Sequence, residues 1–227
     1  MNVLLLIALS LYGGLTATPQ TSQMPPASVT PKTESEAAPG ATGGSQGAAS
    51  GRALVVGDSL AVGTEEPLAR LLPGWRIRTS AYTGRPTADG VSEITGTGSL
   101  PPVLVVSLGT NDDPSATSTF ASQVESVLQA AGPSRCVIWA NIVRPPYGGV
   151  SYSGYNHVLA RLAATNPNLT VVDWVGIVKR NPGILAPDGV HATPRGYETR
   201  AHAVAQAMQA CGAGGAGGYG GGEAIGD

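Results

Sequence analysis

The sequence feature that most constrains the fold is a short apolar run that ends abruptly in glycine, acid and serine. It occupies residues 54–60 and reads Leu-Val-Val-Gly-Asp-Ser-Leu. A fully apolar run of this length is typical of a strand buried on both faces of a parallel sheet. Open α/β sheets bind ligands at the carboxyl ends of their strands, so we expect Ser59 at such a binding edge. A serine there becomes nucleophilic when a base, an orienting group and oxyanion donors lie beside it.

Apolar runs alternate with segments of helical periodicity along the chain. Five runs are predicted strands: residues 53–56, 76–80, 103–107, 137–140 and 170–172. Three helices are predicted. One covers residues 156–165, and the other two have apolar faces made of Phe120, Val124, Val127, Leu128 and Ala131, and of Tyr197, Ala201, Val204, Ala205 and Met208. This alternation predicts an α/β fold with a parallel sheet covered by helices on both faces.

Both ends of the chain differ in composition from the middle. Residues 3–12 are almost wholly apolar and are followed by small residues, which favours a secretory signal over residues 1–17. The run is shorter than the ~20 residues of a membrane span. The alternative to a signal is a buried hydrophobic helix. Residues 18–51 are rich in Pro, Thr, Ser and Gly and are predicted to be a disordered linker. With a glycine-rich tail at 212–227, the folded domain is expected over 52–211.

The charge balance excludes one class of partner. Charged side chains make up 12% of the residues, with 13 basic against 15 acidic, and the formal net charge is −2. Proteins that bind nucleic acid present a basic surface, and membrane-binding segments present a polybasic patch. We therefore expect no nucleic-acid binding, no polybasic contact with a membrane and, after processing of the signal, no stable membrane span.

The chain has two cysteines, Cys136 at the start of the predicted fourth strand and Cys211 at the end of the last helix. If that helix starts at the binding edge, it runs back to the opposite edge, where the fourth strand begins. This placement favours a disulfide bond, with two buried free thiols as the alternative. Neither cysteine has a histidine or another cysteine at metal-ligand spacing, so we expect no metal site and no cofactor.

A base and its orienting group are predicted in residues 188–191, Asp-Gly-Val-His. A serine nucleophile needs an imidazole to accept its proton and a carboxylate to fix the tautomer of that imidazole. Asp188 and His191 lie three residues apart on a turn, so their side chains can converge. The spacing alone is a weak signal. In the alternative interpretation, Asp188 caps the next helix and His191 lies on a surface loop.

Two candidate oxyanion donors follow predicted strands. Asn111 comes after the third strand in the sequence Gly-Thr-Asn-Asp, where its side-chain amide could point into the binding edge. Gly84 follows the second strand, and its backbone N–H could join the same site. The alternatives are a turn or capping role for Asn111 and a simple turn glycine at position 84.

Four blocks of the chain resemble those of the SGNH/GDSL hydrolases and occur in the same order. They are Gly57-Asp58-Ser59-Leu60, Gly84, Gly109-x-Asn111-Asp112 and Asp188-x-x-His191. The resemblance extends over about residues 53–208, which is nearly the whole predicted domain. It implies a flavodoxin-like three-layer α/β/α sandwich with a five-stranded parallel sheet in the order 2-1-3-4-5.

The resemblance also implies roles for individual residues. Ser59 would be the nucleophile, His191 the base and Asp188 its orienting carboxylate. The oxyanion hole would consist of the Ser59 N–H, the Gly84 N–H and the Asn111 side chain. In this family the acid that precedes the serine is usually structural, so Asp58 is expected to order its turn.

Three side chains are predicted to contact the substrate: Arg85, Tyr147 and Tyr152. The two tyrosines belong to residues 141–155, a long connection of the kind that often forms a binding loop or lid beside a catalytic edge. They could stack on sugar rings or simply pack the loop. Arg85, next to Gly84, could shape a preference for particular acyl groups or anions.

The sequence favours an exported serine esterase that acts on short-acyl or carbohydrate esters, because a chain with one Phe has little material for a long-chain lipid cleft. The expected location is secreted or cell envelope. Three segments, residues 156–159, 171–174 and 188–191, also resemble, more loosely, the extracellular domains of peptidoglycan O-acetyltransferases. An O-acetyltransferase acting on cell-wall polysaccharide is therefore one alternative, although Asp112 departs from the glycine more common there. A non-catalytic surface binding protein with this fold is the other.

Overall fold

Five parallel strands form a sheet that is covered by helices on both faces. The computed structural model describes residues 50–214. The strands are β1 (Gly51–Gly57), β2 (Trp75–Ala81), β3 (Val103–Ser107), β4 (Cys136–Ala140) and β5 (Leu169–Val172). The helices are α1 (Ser59–Leu71), α2 (Thr87–Gly96), α3 (Thr117–Ala131), α4 (Ser153–Thr165), α5 (Trp174–Arg180) and α6 (Pro194–Gly214). The strand order is β2-β1-β3-β4-β5, so the α/β/α sandwich with order 2-1-3-4-5 is confirmed.

The sheet separates two apolar cores. In β1, Leu54 and Val56 belong to the core that α2, α3 and α4 complete, whereas Ala53 and Val55 belong to the core that α1 and α6 complete. Successive side chains of a strand point to opposite faces, so both faces of this strand must be apolar. This two-sided burial is the reason that the strand reads as an unbroken apolar run.

Both boundaries of the predicted folded domain (52–211) differ in the structure. The first strand begins at Gly51, inside the predicted linker, because Gly51 pairs in register with Trp75 of β2. The last helix continues to Gly214, three residues into the predicted tail. The structure also has three helices beyond the three that were predicted, α1, α2 and α5. Asp173 caps α5 by accepting a hydrogen bond from the Gly176 N–H at 2.9 Å.

The predicted signal segment (1–17) and nearly all of the predicted linker (18–51) lie outside the described residues, as do residues 215–227 of the tail. Those assignments stay predictions. Within residues 50–214, no helix combines the length and the apolarity that crossing a bilayer requires.

Cys136 and Cys211 form a disulfide bond, with their Cα atoms 6.0 Å apart. The predicted disulfide is therefore confirmed. The bond joins positions separated by 75 residues and ties the end of α6 to the start of β4. Because the strands are parallel, this attachment lies at the edge of the sheet opposite to the edge that carries Ser59.

Replacing both cysteines by serine is expected to lower the free energy of unfolding by about 2–4 kcal/mol, because the bond restricts the unfolded chain over a long loop. Urea unfolding of the Cys136→Ser/Cys211→Ser chain beside the oxidised wild type measures this loss. Wild-type protein unfolded in reducing buffer is the matched control and should lose the same amount. Identical urea midpoints for the oxidised wild type and the variant would contradict the prediction.

Candidate active site

The turn between β1 and α1 brings Ser59 to the carboxyl edge of the sheet. Ser59 is the first residue of α1 and follows β1 after a single residue. The turn lies tightly against β3, because the Asp58 N–H donates to the Ser107 carbonyl at 3.1 Å. A Cβ on residue 57 would lie 3.1 Å from Ser107 as well as against Ala61. Glycine at position 57 therefore allows the close approach that fixes the position of Ser59.

Ser59, His191 and Asp188 form a continuous hydrogen-bond chain. Ser59 Oγ lies 3.0 Å from His191 Nε2, and His191 Nδ1 lies 2.6 Å from Asp188 Oδ2. The other carboxylate oxygen of Asp188 accepts hydrogen bonds from the backbone N–H groups of Val190 and His191, both at 3.0 Å. The structure thus brings together the three residues that the sequence suggested for nucleophile, base and orienting group.

The electrostatics of Asp188 fix the tautomer of the imidazole. The hydrogen bond with the His191 side chain lowers the pKa of Asp188 to about 2, with help from the backbone N–H groups of Val190 and His191. The carboxylate is consequently ionised at any ordinary pH and accepts the Nδ1 proton. This leaves the lone pair of His191 Nε2 facing the hydroxyl of Ser59, so the imidazole is arranged to accept that proton.

Asn111 joins two of the turns at this edge. It follows β3, and its Nδ2 donates to the Arg85 carbonyl at 3.2 Å and to Asp58 Oδ2 at 3.4 Å. The amide therefore lies beside both the nucleophile turn and the turn that follows β2. Gly84 lies in the latter turn with a φ of +79°, a conformation that favours glycine. It is exposed and does not line the cleft that contains Ser59 and Asn111.

A cleft of about 370 Å³ opens over the hydrogen-bond chain. One side consists of the site residues themselves, and the other comes from the connection between β4 and α4. The lining residues are Ser59, Asn111, Arg144, Pro145, Pro146, Tyr147, Asp188, Val190 and His191. The sequence had marked Tyr147 as a substrate contact, and its side chain is well exposed here. A substrate in this cleft would contact the nucleophile, the base and the amide of Asn111 together.

Tyr152, by contrast, does not reach the cleft. It is buried, its hydroxyl donates to the Asp112 carbonyl at 3.0 Å, and its ring packs edge-on against Tyr155 with centroids 6.0 Å apart. This corrects its assignment as a substrate contact, because the ring anchors the start of α4.

Asp112 orders its own loop, since its carboxylate accepts a hydrogen bond from the Thr87 N–H at 3.1 Å.

The side chain of Arg85 also lies outside the lining of the cleft. It is buried, and its guanidinium forms an ion pair with Glu93 of α2 at 2.7 Å and donates to the Ser80 carbonyl at 3.0 Å. The expected contact between this cation and substrate is therefore corrected. What Arg85 contributes to the site is its backbone carbonyl, which accepts the hydrogen bond from Asn111.

Asp58 supports the site from beneath. Its side chain is fully buried and caps α1 by accepting a hydrogen bond from the Leu60 N–H at 2.9 Å. Burial raises the pKa of Asp58, while the Leu60 N–H and the positive charge of Arg200 act in the opposite direction. The structural role expected for Asp58 is thus accompanied by a direct hydrogen bond to Asn111, which the sequence had not indicated.

Arg200 is a buried cation that the sequence analysis missed. It lies on α6, and its Nη2 donates to Ser107 Oγ at 3.0 Å. Its guanidinium carbon lies 5.1 Å from the ring centre of Trp174, and burial lowers the pKa of Arg200 to about 10. A signal was present, because position 200 falls on the apolar helical face that includes Tyr197 and Val204. A charge within such a face indicates a buried, partnered ion.

Comparison with known proteins gives partial matches. No protein-family model matches the chain. The chain is 32% identical over 108 residues to YrhL of Bacillus subtilis (strain 168), which covers 47% of this chain and 16% of that protein. It is 28% identical over 158 residues to the peptidoglycan O-acetyltransferase OatA of Listeria monocytogenes, which covers 68% of this chain and 24% of that protein. The chain therefore spans less than a quarter of the length of these two relatives.

Solved structures share the fold over most of the domain. The C-terminal catalytic domain of peptidoglycan O-acetyltransferase A from Streptococcus pneumoniae superposes with a TM-score of 0.60 at 22% identity. The match covers 71% of this chain and 94% of that domain. Other solved structures, with TM-scores from 0.51 to 0.59, include lipases, acylhydrolases, a G-D-S-L family protein and a carbohydrate esterase. At these identities the likeness establishes the fold alone.

The positive charge of Arg200 and the buried carboxyl of Asp58 make the stability of the protein depend on pH. Arg200→Met removes a buried charged donor and is expected to lower the free energy of unfolding at pH 7 by about 1–3 kcal/mol. Without the positive charge, the pKa of Asp58 should rise further. In the native variant, Asp58 then binds a proton at a higher pH than it does in the unfolded chain, where its pKa is ~4. Lowering the pH therefore stabilises the native state, and it does so more in the variant than in wild type.

Urea unfolding at pH 7 and pH 4.5 measures this effect. The deficit of Arg200→Met relative to wild type should be smaller at the lower pH. Arg161→Met, on the exposed side of α4, is the matched control and should change little at either pH. A deficit that is equal at both pH values would contradict the coupling between Arg200 and Asp58.

Proposed function

Because the chain has the fold of the SGNH/GDSL hydrolases, we propose that it is an enzyme that acts on carboxylic esters through an acyl-enzyme on Ser59. The observation that carries this proposal is the chain of hydrogen bonds from Ser59 through His191 to Asp188. A nucleophile, a base, an orienting carboxylate and an amide donor line the same cleft. A protein that only bound its ligand would have no need of that arrangement.

In the first half-reaction, His191 Nε2 accepts the Ser59 hydroxyl proton as Oγ attacks the ester carbonyl carbon. The ionised Asp188 stabilises the imidazolium that forms. When the tetrahedral intermediate collapses, the C–O bond to the leaving alcohol breaks. Nε2–H returns the proton to that alkoxide, and the acyl group stays on Ser59. In the second half-reaction, an incoming hydroxyl gives its proton to His191 and attacks the acyl carbonyl. The bond between the acyl carbon and Ser59 Oγ then breaks, and His191 returns the proton to Oγ.

The tetrahedral intermediate carries a negative oxygen that needs preorganised donors. We propose the Asn111 side chain and the Ser59 N–H for this role. The Gly84 N–H, which lies outside the lining of the cleft, is the third donor that the sequence resemblance implies. Asn111 has the strongest support, because its amide lines the cleft and is already oriented by the Arg85 carbonyl. The contact with Asp58 is long, at 3.4 Å, so the amide retains capacity to donate to an oxyanion.

The hydroxyl that receives the acyl group defines two candidate functions. With water as acceptor the enzyme is an esterase for short-acyl or carbohydrate esters. With a sugar hydroxyl it is an O-acetyltransferase acting on cell-wall polysaccharide, a candidate favoured by the names of OatA from Listeria and of the catalytic domain from Streptococcus pneumoniae. Formation of an acetylated sugar rather than free acetate, in the presence of chitooligosaccharides, distinguishes the second function from the first.

A location outside the cytoplasm suits both functions. We propose a secreted or cell-envelope protein in which residues 1–17 direct export and residues 18–51 tether the folded domain. The disulfide between Cys136 and Cys211 supports this proposal, because such bonds persist in oxidising compartments.

Two substitutions test the proposed roles with p-nitrophenyl acetate as substrate. Ser59→Ala is expected to reduce turnover to the background rate, because no nucleophile remains. Asn111→Ala should lower kcat by ~10²–10³ with little change in KM, because an oxyanion donor acts in the transition state. Ser92→Ala, an exposed serine on α2, is the matched control and should behave as wild type.

Circular dichroism of each variant checks that the fold is retained. Wild-type turnover by a folded Ser59→Ala protein would rule out Ser59 as the nucleophile. A rise in KM with unchanged kcat in Asn111→Ala would assign Asn111 to ground-state binding instead of the oxyanion hole.

A further inference from the structure

Arg144 places a positive charge in the wall of the catalytic cleft. It lies four residues beyond the end of β4, in the connection to α4, and it is half-buried. Its Nη1 donates to the Thr110 carbonyl, and its guanidinium carbon lies 5.9 Å from the ring centre of Tyr152. The same cleft is lined by Ser59 and Asn111. The cation is therefore close to where an ester would react.

This charge has no anionic partner among residues 50–214. Among these residues, the arginines that do form an ion pair with a carboxylate are Arg70, with Glu66 and Glu198, and Arg85, with Glu93. Asp188 lines the same cleft, but both of its oxygens are occupied by His191 and by two backbone N–H groups. The negative charge in the cleft is thus already committed, and the charge of Arg144 is left for another group.

The guanidinium is also held in a fixed position with donors to spare. A guanidinium has five N–H donors, and Arg144 uses one of them for the Thr110 carbonyl. That carbonyl immediately precedes Asn111, so the bond fixes the guanidinium relative to the proposed oxyanion donor. Pro145 and Pro146 follow directly and restrict the backbone. A positioned fork of this kind matches carboxylates and phosphates, which it binds through two parallel hydrogen bonds.

We propose that Arg144 binds a carboxylate or phosphate of the substrate, so that the enzyme selects esters carrying an anionic group near the scissile bond. The inference rests on the proposed function of the cleft and specifies its substrate class. The competing explanation is that Arg144 only holds the Thr110 carbonyl in place. A structural role of that kind would affect neutral and anionic esters alike, whereas recognition affects the ratio between them.

The test uses aryl acetates whose leaving groups differ in charge, and each variant is compared with wild type on the same esters so that their intrinsic reactivity cancels. 3- and 4-Acetoxybenzoate carry a carboxylate on the leaving group, their methyl esters are neutral, and 4-acetoxyphenyl phosphate supplies a phosphate. The readout is the ratio of kcat/KM for an anionic ester to kcat/KM for the neutral ester. Wild type should prefer at least one anionic ester. Arg144→Gln should lower that ratio by about 10–100-fold, mainly through KM, the range expected for a charge-assisted hydrogen bond.

Arg144→Lys should retain part of the preference, since it keeps the charge and loses the fork. Arg161→Gln on the exposed face of α4 should leave the ratio unchanged. Wild type prefers one of the two anions more strongly, and Arg144→Gln removes that preference. The anion for which this loss is larger, carboxylate or phosphate, is the group that Arg144 recognises. A wild-type ratio near one, or a ratio that Arg144→Gln leaves intact, would overturn the inference while the esterase proposal stands. Absence of turnover on every ester would overturn both.

Discussion

The hydrogen bond between Ser59 Oγ and His191 Nε2 is the contact on which the proposed catalysis depends. It joins side chains that are 132 positions apart in the sequence, since Ser59 begins α1 and His191 lies in the loop before α6. A parallel sheet makes this contact feasible, because all of its strands end at the same edge. The two apolar cores on either face of the sheet hold the strands in order. The geometry of the site at this edge therefore depends on the packing of the two buried cores.

Helix packing sets the distance between nucleophile and base. Ser59 begins α1, and α6 begins three residues after His191, so the two helices carry the two partners at their amino ends. The helices pack against each other, and Gly63 leaves room for the ring of Tyr197 that any side chain would fill. From α6, Arg200 reaches beneath the nucleophile turn to Ser107. The same helix thus supplies both spacing and electrostatic support to the site.

The sequence predicted the strands well, because their apolar runs are local signals that burial on both faces requires. The convergence of Ser59, Asp188 and His191 was also predictable, since each lies at a strand end or in the loop before the last helix. The strand order came from the resemblance to a family and not from the pattern of residues. Propensity alone does not determine which strands pair.

The directions of loop side chains could not be predicted from the sequence. Arg85 turns away from the cleft because Glu93 on α2 offers a carboxylate. Tyr152 turns inward because its ring packs against Tyr155 and its hydroxyl donates to the Asp112 carbonyl. Arg144 remains in the cleft because its one bonded partner is a carbonyl there. Glu93 lies only eight positions from Arg85, but the Asp112 and Thr110 carbonyls lie 40 and 34 positions from Tyr152 and Arg144. In each case the side-chain direction depends on how neighbouring elements pack, for which the local sequence pattern carries no signal.

Covalent labelling tests the central claim most directly, because it requires the hydroxyl and the imidazole to act together. The protein is treated with phenylmethylsulfonyl fluoride, its intact mass is measured, and the modified peptide is mapped, in wild type and in His191→Ala. Our account predicts one adduct per chain, located on Ser59, with a rate that falls to background in the histidine variant. An adduct on another residue, no adduct, or labelling of Ser59 at the same rate without His191 would contradict it.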